Sequence, residues 1–536
     1  MWQGGSSRGE SGLVALLFAG LLVGAWACAG GPPAPVTAPA ATPPHPVRVT
    51  PQSSWDEAVL YAVLLDRFAD GDPTNDRDVR PGGKGTFHGG DLAGLTAQLD
   101  ELAGLGVTAL WITPVVRNIP GFVTGAGFPD WAYHGYWADD FTRLDPRFGT
   151  EAQLRALVEA AHARGMAVLL DVVYNHVGYG SHYLTDPATR GWLRSEEAGT
   201  CGTDDLTTCV AGLPDLKTEL PQVADYLMDA HLGLARRVGV DGFRLDTVKH
   251  VSHDFWRRHR ERTRAELGSG FFLLGEVWGG DARVLDPWFE DDELDAGFDF
   301  GFSGSTIAFL QGRGRTVAFE HYLETRRTVR PGHRLAHYLS SHDVPTALYL
   351  LGGDRDLFRL AALLQMTVRG IPVLDYGEEV GRPGGEWPEN RSDMPWGDRP
   401  VEPGAGRPRD EALRRDYQRL IALRRAHPAL WRGDHAALAT DGDLLVFVRR
   451  DPEGPDAVVV AVNRGAAPAA ASFEVPAAWR TDGAASVTDA WGGGAVPIAG
   501  GRIEITVPAK GARILVAGPQ VGAAQPDAGA PSPGEG

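Results

Sequence analysis

Carboxyl groups stand at the ends of three short apolar runs, and their residue types suit nucleophilic and acid–base chemistry. Asp246 closes Gly-Phe-Arg-Leu-Asp, Glu276 lies in Gly-Glu-Val-Trp, and Asp343 closes Ser-Ser-His-Asp. Arg244 and His342 accompany them and can orient a carboxylate. A single acid at such a position is commonly a cap or an ion-pair partner. Three acids with an arginine and a histidine at successive run ends instead predict one pocket, where paired carboxyl groups can divide the roles of nucleophile and proton donor.

Short apolar runs that alternate with amphipathic helices supply the elements that must position these residues. The runs lie at residues 59–68, 107–115, 167–175, 240–247, 271–278, 335–343 and 372–379, with a weaker one at 297–301. Leucines spaced along residues 91–105 predict one helix, and Thr150 and Gly165 bound another. Eight strands separated by helices predict an α/β fold built on a closed (β/α)8 barrel, with an open doubly wound sheet as the alternative. The carboxyl ends of barrel strands converge on one face, where the acids would meet.

The remaining sequence predicts additional domains around this barrel. Short strands with intervening turns at 444–448, 458–462, 471–475 and 503–507 indicate a C-terminal antiparallel β-sandwich. The predicted layout is an export signal at 1–28, a Pro-rich tether at 29–54, the barrel at 55–434 with an inserted domain at 177–222, the β domain at 435–517 and a disordered tail at 518–536.

Composition excludes several classes of protein. The 536 residues are 43% hydrophobic and 22% charged, which excludes a wholly disordered chain and a polytopic membrane protein. Lysine plus arginine is 51 and aspartate plus glutamate is 69, so the net charge is −18. Because an acidic surface with this net charge repels a phosphate backbone, we expect no nucleic-acid partner.

The N-terminus predicts export. Residues 13–27 form an uncharged apolar run that ends in Ala-Trp-Ala-Cys28, which resembles a bacterial lipoprotein box and would tether the chain to a membrane through a lipid on Cys28. The alternative is secretion after cleavage at Ala27. We therefore expect an outer-membrane or periplasmic lipoprotein, or a secreted protein. In an oxidising compartment Cys201 and Cys209 can pair, the alternative being two free thiols.

Taken together, these segments resemble the α-amylase family of glycoside hydrolases over residues 55–517. Four signature segments occur in order, and a fifth, Leu-Pro-Asp215-Leu, lies in the inserted segment. The resemblance implies that Asp246 is the nucleophile, Glu276 the general acid/base and Asp343 a third acid that binds sugar hydroxyls. Cleavage with retention requires two carboxyl groups about 5–5.5 Å apart, one of which must hold a proton near neutral pH.

The same resemblance implies the residues that bind the sugar. Arg244 would keep Asp246 ionised and oriented. The other residues implied to contact substrate are His134, Tyr136, His176, Lys249, His250 and His342. Among these, Tyr136 would stack on the sugar, and Lys249 and His250 would contact the sugar beyond the cleavage point.

Calcium is the cofactor that the resemblance implies, because hard oxygen ligands from separate segments suit Ca²⁺. Asn175, Asp215 and the backbone carbonyl of His250 would bind one ion and clamp the inserted domain to the barrel. The residues of a second candidate site are Asp70, Asp72, Asn75, Asp76, Gly89 and Asp91. The alternative for that second segment is a solvated acidic turn.

The expected function is retaining hydrolysis of α-1,4-glucosidic bonds in starch, glycogen or maltooligosaccharides by a monomer. Val-Lys249-His250 after the nucleophile resembles enzymes that act on α-1,4-glucans. The alternatives are a cyclomaltodextrinase-like or neopullulanase-like activity and an α-glucanotransferase activity. An alternative of another class is a surface lipoprotein that binds glycans without hydrolysis, which the presence of all three acids disfavours.

Overall fold

A closed barrel of eight parallel strands forms the centre of the structure, a computed structural model that describes residues 55–479 and 486–517. The strands are β1 Leu60–Val63, β2 Ala109–Ile112, β3 Ala167–Val172, β4 Gly242–Leu245, β5 Phe272–Gly275, β6 Ala296–Phe298, β7 Arg334–Tyr338 and β8 Ile371–Asp375. Each strand pairs with its successor along the chain, and β8 closes on β1. The predicted barrel is thus confirmed.

Alternation along each strand divides the barrel core into two layers. In β1, Leu60 and Ala62 point into the barrel interior, whereas Tyr61 and Val63 pack between strands and helices. All four are buried, because a parallel barrel is covered on its outer side by helices. These strands consequently read as continuous apolar runs.

Nine principal helices surround the barrel in the described residues. They are α1 Leu92–Ala97, α2 Leu99–Leu105, α3 Glu151–His162, α4 Pro221–Val238, α5 His253–Leu267, α6 Gly301–Leu310, α7 Thr316–Thr325, α8 Arg355–Thr367 and α9 Glu411–Ala426. The single helix predicted for residues 91–105 is in fact two, because the backbone bends at Gln98. Thr150 caps α3 in a capping box with Gln153, and Gly165 follows with φ +72°.

The predicted runs extend beyond the strands at their carboxyl ends. β3 ends at Val172, although the apolar run continues through Tyr174. The chain leaves the sheet there while its side chains remain buried, so hydrophobicity alone does not mark the strand end. These extensions carry the three predicted acids, Asp246, Glu276 and Asp343.

The segment between β3 and α4 contains little regular structure. Leu193–Arg194 pairs with Asp215–Leu216 in a two-stranded ribbon. Cys201 and Cys209 form a disulfide, which confirms the predicted pairing. The segment is fastened to the barrel where Leu216 N donates to Asn175 O at 2.7 Å.

The C-terminal part is an antiparallel sheet over its own core. Its strands are β9 Asp434–Asp441, β10 Leu444–Arg450, β11 Ala457–Asn463, β12 Ala469–Glu474, β13 Ser486–Asp489, β14 Ala495–Ala499, β15 Arg502–Val507 and β16 Gly511–Val516. They are ordered β9-β10-β11-β16-β13-β14-β15-β12. The sequence predicts four of the eight. β9 shows why others were missed, since its burial is mostly partial and it lacks a sustained apolar run.

The predicted export signal, tether and tail lie outside the described residues. Within the described ranges, no helix is both long and apolar enough to cross a membrane.

Candidate active site

Asp246 and Glu276 directly follow neighbouring barrel strands at the same height. Asp246 N donates to Val172 O at 3.0 Å, and Glu276 N donates to Leu245 O at 2.9 Å. Both bonds continue the parallel ladders one residue beyond β4 and β5. The ladder therefore places the two carboxyl groups side by side on the C-terminal face of the barrel.

Arg244 on β4 joins these carboxyl groups. Its Nη1 donates to Asp246 Oδ1 at 2.6 Å, and its Nη2 lies 2.9 Å from Glu276 Oε1. Nη1 also lies 3.1 Å from Asp171 Oδ1 at the end of β3. The arginine side chain is only 2% exposed. It orients both predicted catalytic acids, whereas the sequence predicted a contact with Asp246 alone.

Burial and charge set the protonation of the pair. Burial raises the pKa of Glu276 to about 7; Arg244 opposes the rise, while the negative charges of Asp246 and Asp343 add to it. Burial also raises the pKa of Asp246, and Arg244 acts against that rise. Because Arg244 Nη1 bonds Asp246 directly, the favourable arrangement is an ionised Asp246 beside a protonated Glu276.

Asp343 is held as an anion on the other side of the pocket. Its Oδ2 lies 3.1 Å from His342 Nε2, and Arg391 Nη2 donates to its Oδ1 at 3.1 Å. Although burial raises the pKa of Asp343, His342 and Arg391 hold it well below its usual range. Arg391 Nε also donates to the His342 carbonyl at 2.7 Å, so this arginine positions the whole His-Asp pair.

Tyr136 and three histidines, His134, His176 and His342, lie together beside the acids. Tyr136 OH donates to Asp171 Oδ2 at 2.7 Å, and its ring stacks on His342 with centroids 5.5 Å apart. His134 Nδ1 accepts from Tyr136 N at 3.1 Å. His176 is buried, its Nε2 has no hydrogen-bond partner among the described residues, and burial lowers its pKa to about 4. His176 is therefore neutral near pH 7.

Lys249 and His250 lie beside the disulfide loop. Lys249 Nζ is 3.1 Å from Asp205 Oδ2, and His250 Nδ1 is 2.7 Å from Asp205 O. Asp205 lies between Cys201 and Cys209, so the cross-linked loop fixes both residues.

Several residues of the pocket were not predicted. The cavity, about 390 Å³ and open to solvent, is lined by aromatic side chains that include Trp111, Trp278, Phe298, Phe300 and Tyr338. Trp278 is 57% exposed beside Glu276, and its ring centroid lies 5.1 Å from that of Phe300. In a sequence such aromatics cannot be distinguished from core residues, because their types are the same. Asp171 lies within the apolar run 167–175, but only the structure reveals its contact with Arg244.

The first predicted calcium site shows converging oxygen atoms. The amide oxygen of Asn175 faces the His250 carbonyl oxygen at 3.0 Å and Asp215 Oδ1 at 3.2 Å. Three oxygens without an intervening donor fit a hard cation, the alternative being a rotated amide whose nitrogen donates to both. Burial raises the pKa of Asp215 to about 7, although Arg194, whose Nη1 lies 2.7 Å from Asp215 Oδ2, acts to lower it. A divalent cation would offset the cost of burying the ionised Asp215 carboxylate, so the donor set fits calcium.

The second predicted calcium site also has part of a donor set that fits the ion. Asp70 Oδ1, Asn75 Oδ1 and Asp76 Oδ1 are buried and lack hydrogen-bond partners among the described residues. Asp91 caps α1 through Gly94 N, and its Oδ2 accepts from Asn75 Nδ2 at 2.8 Å. Burial and the neighbouring acids raise the pKa of Asp70 to about 6.

Two further residues of that site have different roles. Gly89 has φ +102°, and a Cβ there would come within 3.1 Å of Asp76 Oδ1. Gly89 thus provides room beside the acids. Asp72 Oδ1 accepts from Thr74 N at 3.1 Å and forms the turn instead of joining the buried oxygens.

One unpredicted cluster has ligand atoms within 4.8 Å of one another, namely His253, Asp291 and Glu293. Arg257 Nη1 lies 2.6 Å from Asp291 and 3.4 Å from Glu293. Because a guanidinium already pairs with both acids, we interpret the cluster as an ion-pair network.

The fold and the site together define a class of enzyme. A closed barrel that brings two carboxyl groups onto one guanidinium at its C-terminal face has the apparatus of a glycosidase. The family model of the alpha-amylase catalytic domain matches residues 62–198 and 203–419. The chain therefore belongs to the alpha-amylase family.

Curated relatives agree with this assignment. The chain is 31% identical to a cyclomaltodextrinase of Geobacillus thermopakistaniensis over 443 residues, which cover 78% of this chain and 71% of the relative. It is 32% identical to neopullulanase 2 of Thermoactinomyces vulgaris over 446 residues, which cover 78% of this chain and 72% of the relative. It is also 32% identical to the periplasmic alpha-amylase of Escherichia coli over 485 residues, which cover 72% of this chain and 69% of the relative.

Solved structures share the architecture. An Anoxybacillus alpha-amylase superposes with a TM-score of 0.75 at 28% identity, covering 88% of this chain and 100% of that chain. An alpha-amylase from Geobacillus thermoleovorans, in complex with acarbose, superposes with a TM-score of 0.72 at 29% identity. The match covers 86% of this chain and 98% of that chain.

Proposed function

We propose that this enzyme hydrolyses α-1,4-glucosidic bonds in starch, glycogen or maltooligosaccharides and retains the anomeric configuration. The observation that supports this most directly is the shared contact of Asp246 and Glu276 with Arg244, together with the pKa of Glu276 near 7. The names of the relatives, which include alpha-amylases and cyclomaltodextrinases, support an α-glucan substrate.

The reaction proceeds in two displacements. In the first, the Asp246 carboxylate attacks the anomeric carbon while Glu276 transfers its proton to the glycosidic oxygen, so the C–O bond breaks and a glycosyl–Asp246 ester forms. In the second, the Glu276 carboxylate takes a proton from water, and the water oxygen attacks the same carbon. This step releases the sugar, restores the Asp246 carboxylate and returns the proton to Glu276.

The remaining residues hold the sugar during these steps. Asp343, kept ionised by His342 and Arg391, is the acceptor for sugar hydroxyls. Tyr136 offers a ring face, and His176 an unpartnered imidazole nitrogen. Trp278, exposed beside the proton donor, is placed to contact the leaving-group sugar.

We propose calcium as a structural cofactor. Asn175, Asp215 and the His250 carbonyl would hold one ion, and Asp70, Asn75, Asp76 and Asp91 a second. Calcium bound at the first site would supply charge neutralisation between the inserted segment and the barrel. The convergence of unpartnered oxygen atoms supports both sites.

Export is likewise a proposal. The apolar run before Cys28 supports translocation, and Cys28 would carry a lipid that tethers a monomeric enzyme to a membrane. Fractionation of cells that express wild type or Cys28→Ser tests this. Membrane-bound wild type and released or unprocessed Cys28→Ser would support the tether, whereas wholly soluble wild type would favour secretion.

Incubation of the purified enzyme with soluble starch, maltoheptaose, β-cyclodextrin and pullulan, followed by assay of new reducing ends, tests the activity. We expect reducing ends from starch and maltoheptaose, and Asp246→Asn serves as the blank. Preferential cleavage of β-cyclodextrin would instead favour the cyclomaltodextrinase activity, which the names of three curated relatives also support. Binding to starch without new reducing ends would favour the non-catalytic alternative.

A further inference from the structure

A cavity of about 340 Å³ lies at the end of the barrel opposite the catalytic face. Arg326 and Arg327 precede β7, and Arg369 precedes β8, so all three stand at the amino ends of barrel strands. His435 on β9 and Arg449 on β10 form the facing wall. The cavity therefore lies at the seam between the barrel and the C-terminal sheet, away from the predicted site residues.

Two of its arginines are buried, and one of them, Arg326, has an unpartnered donor. Arg449 is 2% exposed and donates to the carbonyl oxygens of Ala429 and Gly433, at 3.3 and 2.5 Å. No carboxylate within ion-pair distance of it occurs in the part of the chain that the structure describes, although the charge of Asp434 acts on it from farther away. Arg326 is 7% exposed, its Nε lies 2.8 Å from Asp299, and its Nη1 has no partner in the described ranges.

Positive charge exceeds negative charge around the cavity. Arg424, fully buried behind Arg449, donates to the carbonyls of Met366 and Val368 rather than to an acid. The exposed Arg369 adds a further charge at the rim, and Asp434 is the carboxylate that lines the cavity.

Other nearby acids are already paired. Glu320 Oε1 lies 2.7 Å from His435, and Glu324 lies 3.0 Å from Arg327. Glu324 therefore does not offset the charges of Arg369, Arg424 and Arg449. Glu320 offsets part of them whenever His435 is neutral, because a histidine carries charge only when it is protonated.

This accumulation of charge is costly for the folded state. Burial lowers the pKa of Arg449 well below its usual range, and repulsion from Arg424, Arg369 and Arg326 lowers it further, while Asp434 opposes the shift. Burial and Arg326 likewise lower the pKa of Arg424 to about 9. Since arginine remains protonated at neutral pH, the repulsion persists, and an anion in the cavity would relieve it.

We infer that this cavity binds a phosphate group, either as free inorganic phosphate or as part of a small organic phosphate. Guanidinium groups present planar forks that match the oxygen atoms of phosphate, and here they approach from both walls of the cavity. The inference does not depend on the proposed hydrolysis of α-glucans, because it uses none of the residues assigned to that reaction.

Bound phosphate would bridge the barrel and the C-terminal sheet. It would contact Arg326 and Arg369 from the barrel and Arg449 from the sheet. We therefore expect it to stabilise the folded enzyme by mass action and to leave the rate of starch hydrolysis unchanged.

Thermal unfolding of the full chain tests the site. Tm is measured with inorganic phosphate, with glucose 6-phosphate and with sodium chloride at equal ionic strength, for wild type and three variants. Arg369→Ala removes an exposed cavity arginine, Arg449→Met removes a buried one, and Arg143→Ala is the control at an exposed position outside the cavity. Any effect of phosphate on bound cations or on hydration is common to all four proteins, so the differences between them report on the cavity.

We expect phosphate at about tenfold above its Kd to raise the Tm of wild type and Arg143→Ala by about 1–2 °C relative to chloride. Arg369→Ala or Arg449→Met should lose at least half of this shift. A shift with both phosphates would indicate that the cavity accepts an ester, and a shift with inorganic phosphate alone would indicate the free anion. Equal Tm values in phosphate and chloride, or an undiminished shift in both cavity variants, would overturn the inference.

Discussion

Arg244 determines the arrangement of the candidate site at the scale of single residues. Its guanidinium contacts Asp171, Asp246 and Glu276, and its side chain is almost fully buried. The sequence predicts the identities of the acids, because residue type and position relative to a strand can be read directly. It cannot predict that one arginine serves three carboxylates, because that depends on the distance between neighbouring strands.

Replacement of the nucleophile tests the role of Asp246. Asp246→Asn should lower kcat on starch by at least about a thousandfold, because an amide is a poor nucleophile. Tm should change little, since the substitution is nearly isosteric and relieves one buried charge. Initial rates and thermal unfolding measure the two effects. Retention of more than about a tenth of the rate, or about 1.4 kcal/mol in the barrier, would contradict the role.

The pH dependence of the rate tests the role of Glu276. Its pKa is raised to about 7, and proton donation requires the protonated form. The rate should therefore be highest below pH 7 and should fall as pH rises through about 7, because Glu276 ionises. The measurement is kcat/KM on maltoheptaose between pH 4 and pH 9.

α-Maltosyl fluoride is the matched control, because fluoride leaves without a proton. Its first displacement should lack the alkaline decrease. An identical decrease with both substrates would assign the titration to another group.

At the scale of elements, the eight apolar runs predicted the eight barrel strands, and the acids lie where those strands end. The predicted strand ends lie beyond the observed ones, because side chains such as Tyr174 remain buried after the chain leaves the sheet. In the C-terminal sheet, β9 escaped prediction because half-exposed strands have no continuous apolar run. The pairing of Cys201 with Cys209 was predictable from their number and spacing, whereas the contact of their loop with Lys249 and His250 was not.

Calcium removal tests the clamp between the inserted segment and the barrel. EDTA should lower the Tm of wild type by several degrees, because an ion that binds only the folded state stabilises it. Asp215→Ala should shrink the difference between calcium and EDTA, and the remainder would come from the second proposed site. Asp441→Ala, at an exposed strand end, should behave as wild type. An unchanged Tm after verified removal of the metal would argue against the clamp.

The disulfide loop provides a second test at this scale. Replacement of both Cys201 and Cys209 by serine removes a cross-link that closes a loop of about eight residues, which costs about 2–3 kcal/mol by chain-entropy arguments. Because Asp205 in this loop contacts Lys249 and His250, we expect KM for maltoheptaose to rise several-fold, with a smaller change in kcat.

Dithiothreitol should raise KM of the wild type in the same way and leave the serine variant unaffected. Kinetic constants indistinguishable from wild type in the double variant would show that the loop does not support these residues.

At the scale of the whole molecule, the sequence predicted a barrel with an inserted segment and a C-terminal antiparallel domain. Periodicity and composition were sufficient for this, because they reflect burial averaged over many residues. Features that arise between distant segments were not predictable. The arginine-lined cavity joins residues near positions 326, 369 and 449, which are far apart in the chain and have no shared motif.

The central claim is that Asp246 and Glu276 act as a pair in a double displacement. Its most direct test is proton NMR of freshly released reducing ends, recorded on maltoheptaose before mutarotation. Two inversions at one carbon preserve configuration, so the α-anomer should appear first and the β-anomer only at the rate of mutarotation. An initial burst of the β-anomer would show a single displacement by water and would contradict both the glycosyl–Asp246 intermediate and the role assigned to Glu276.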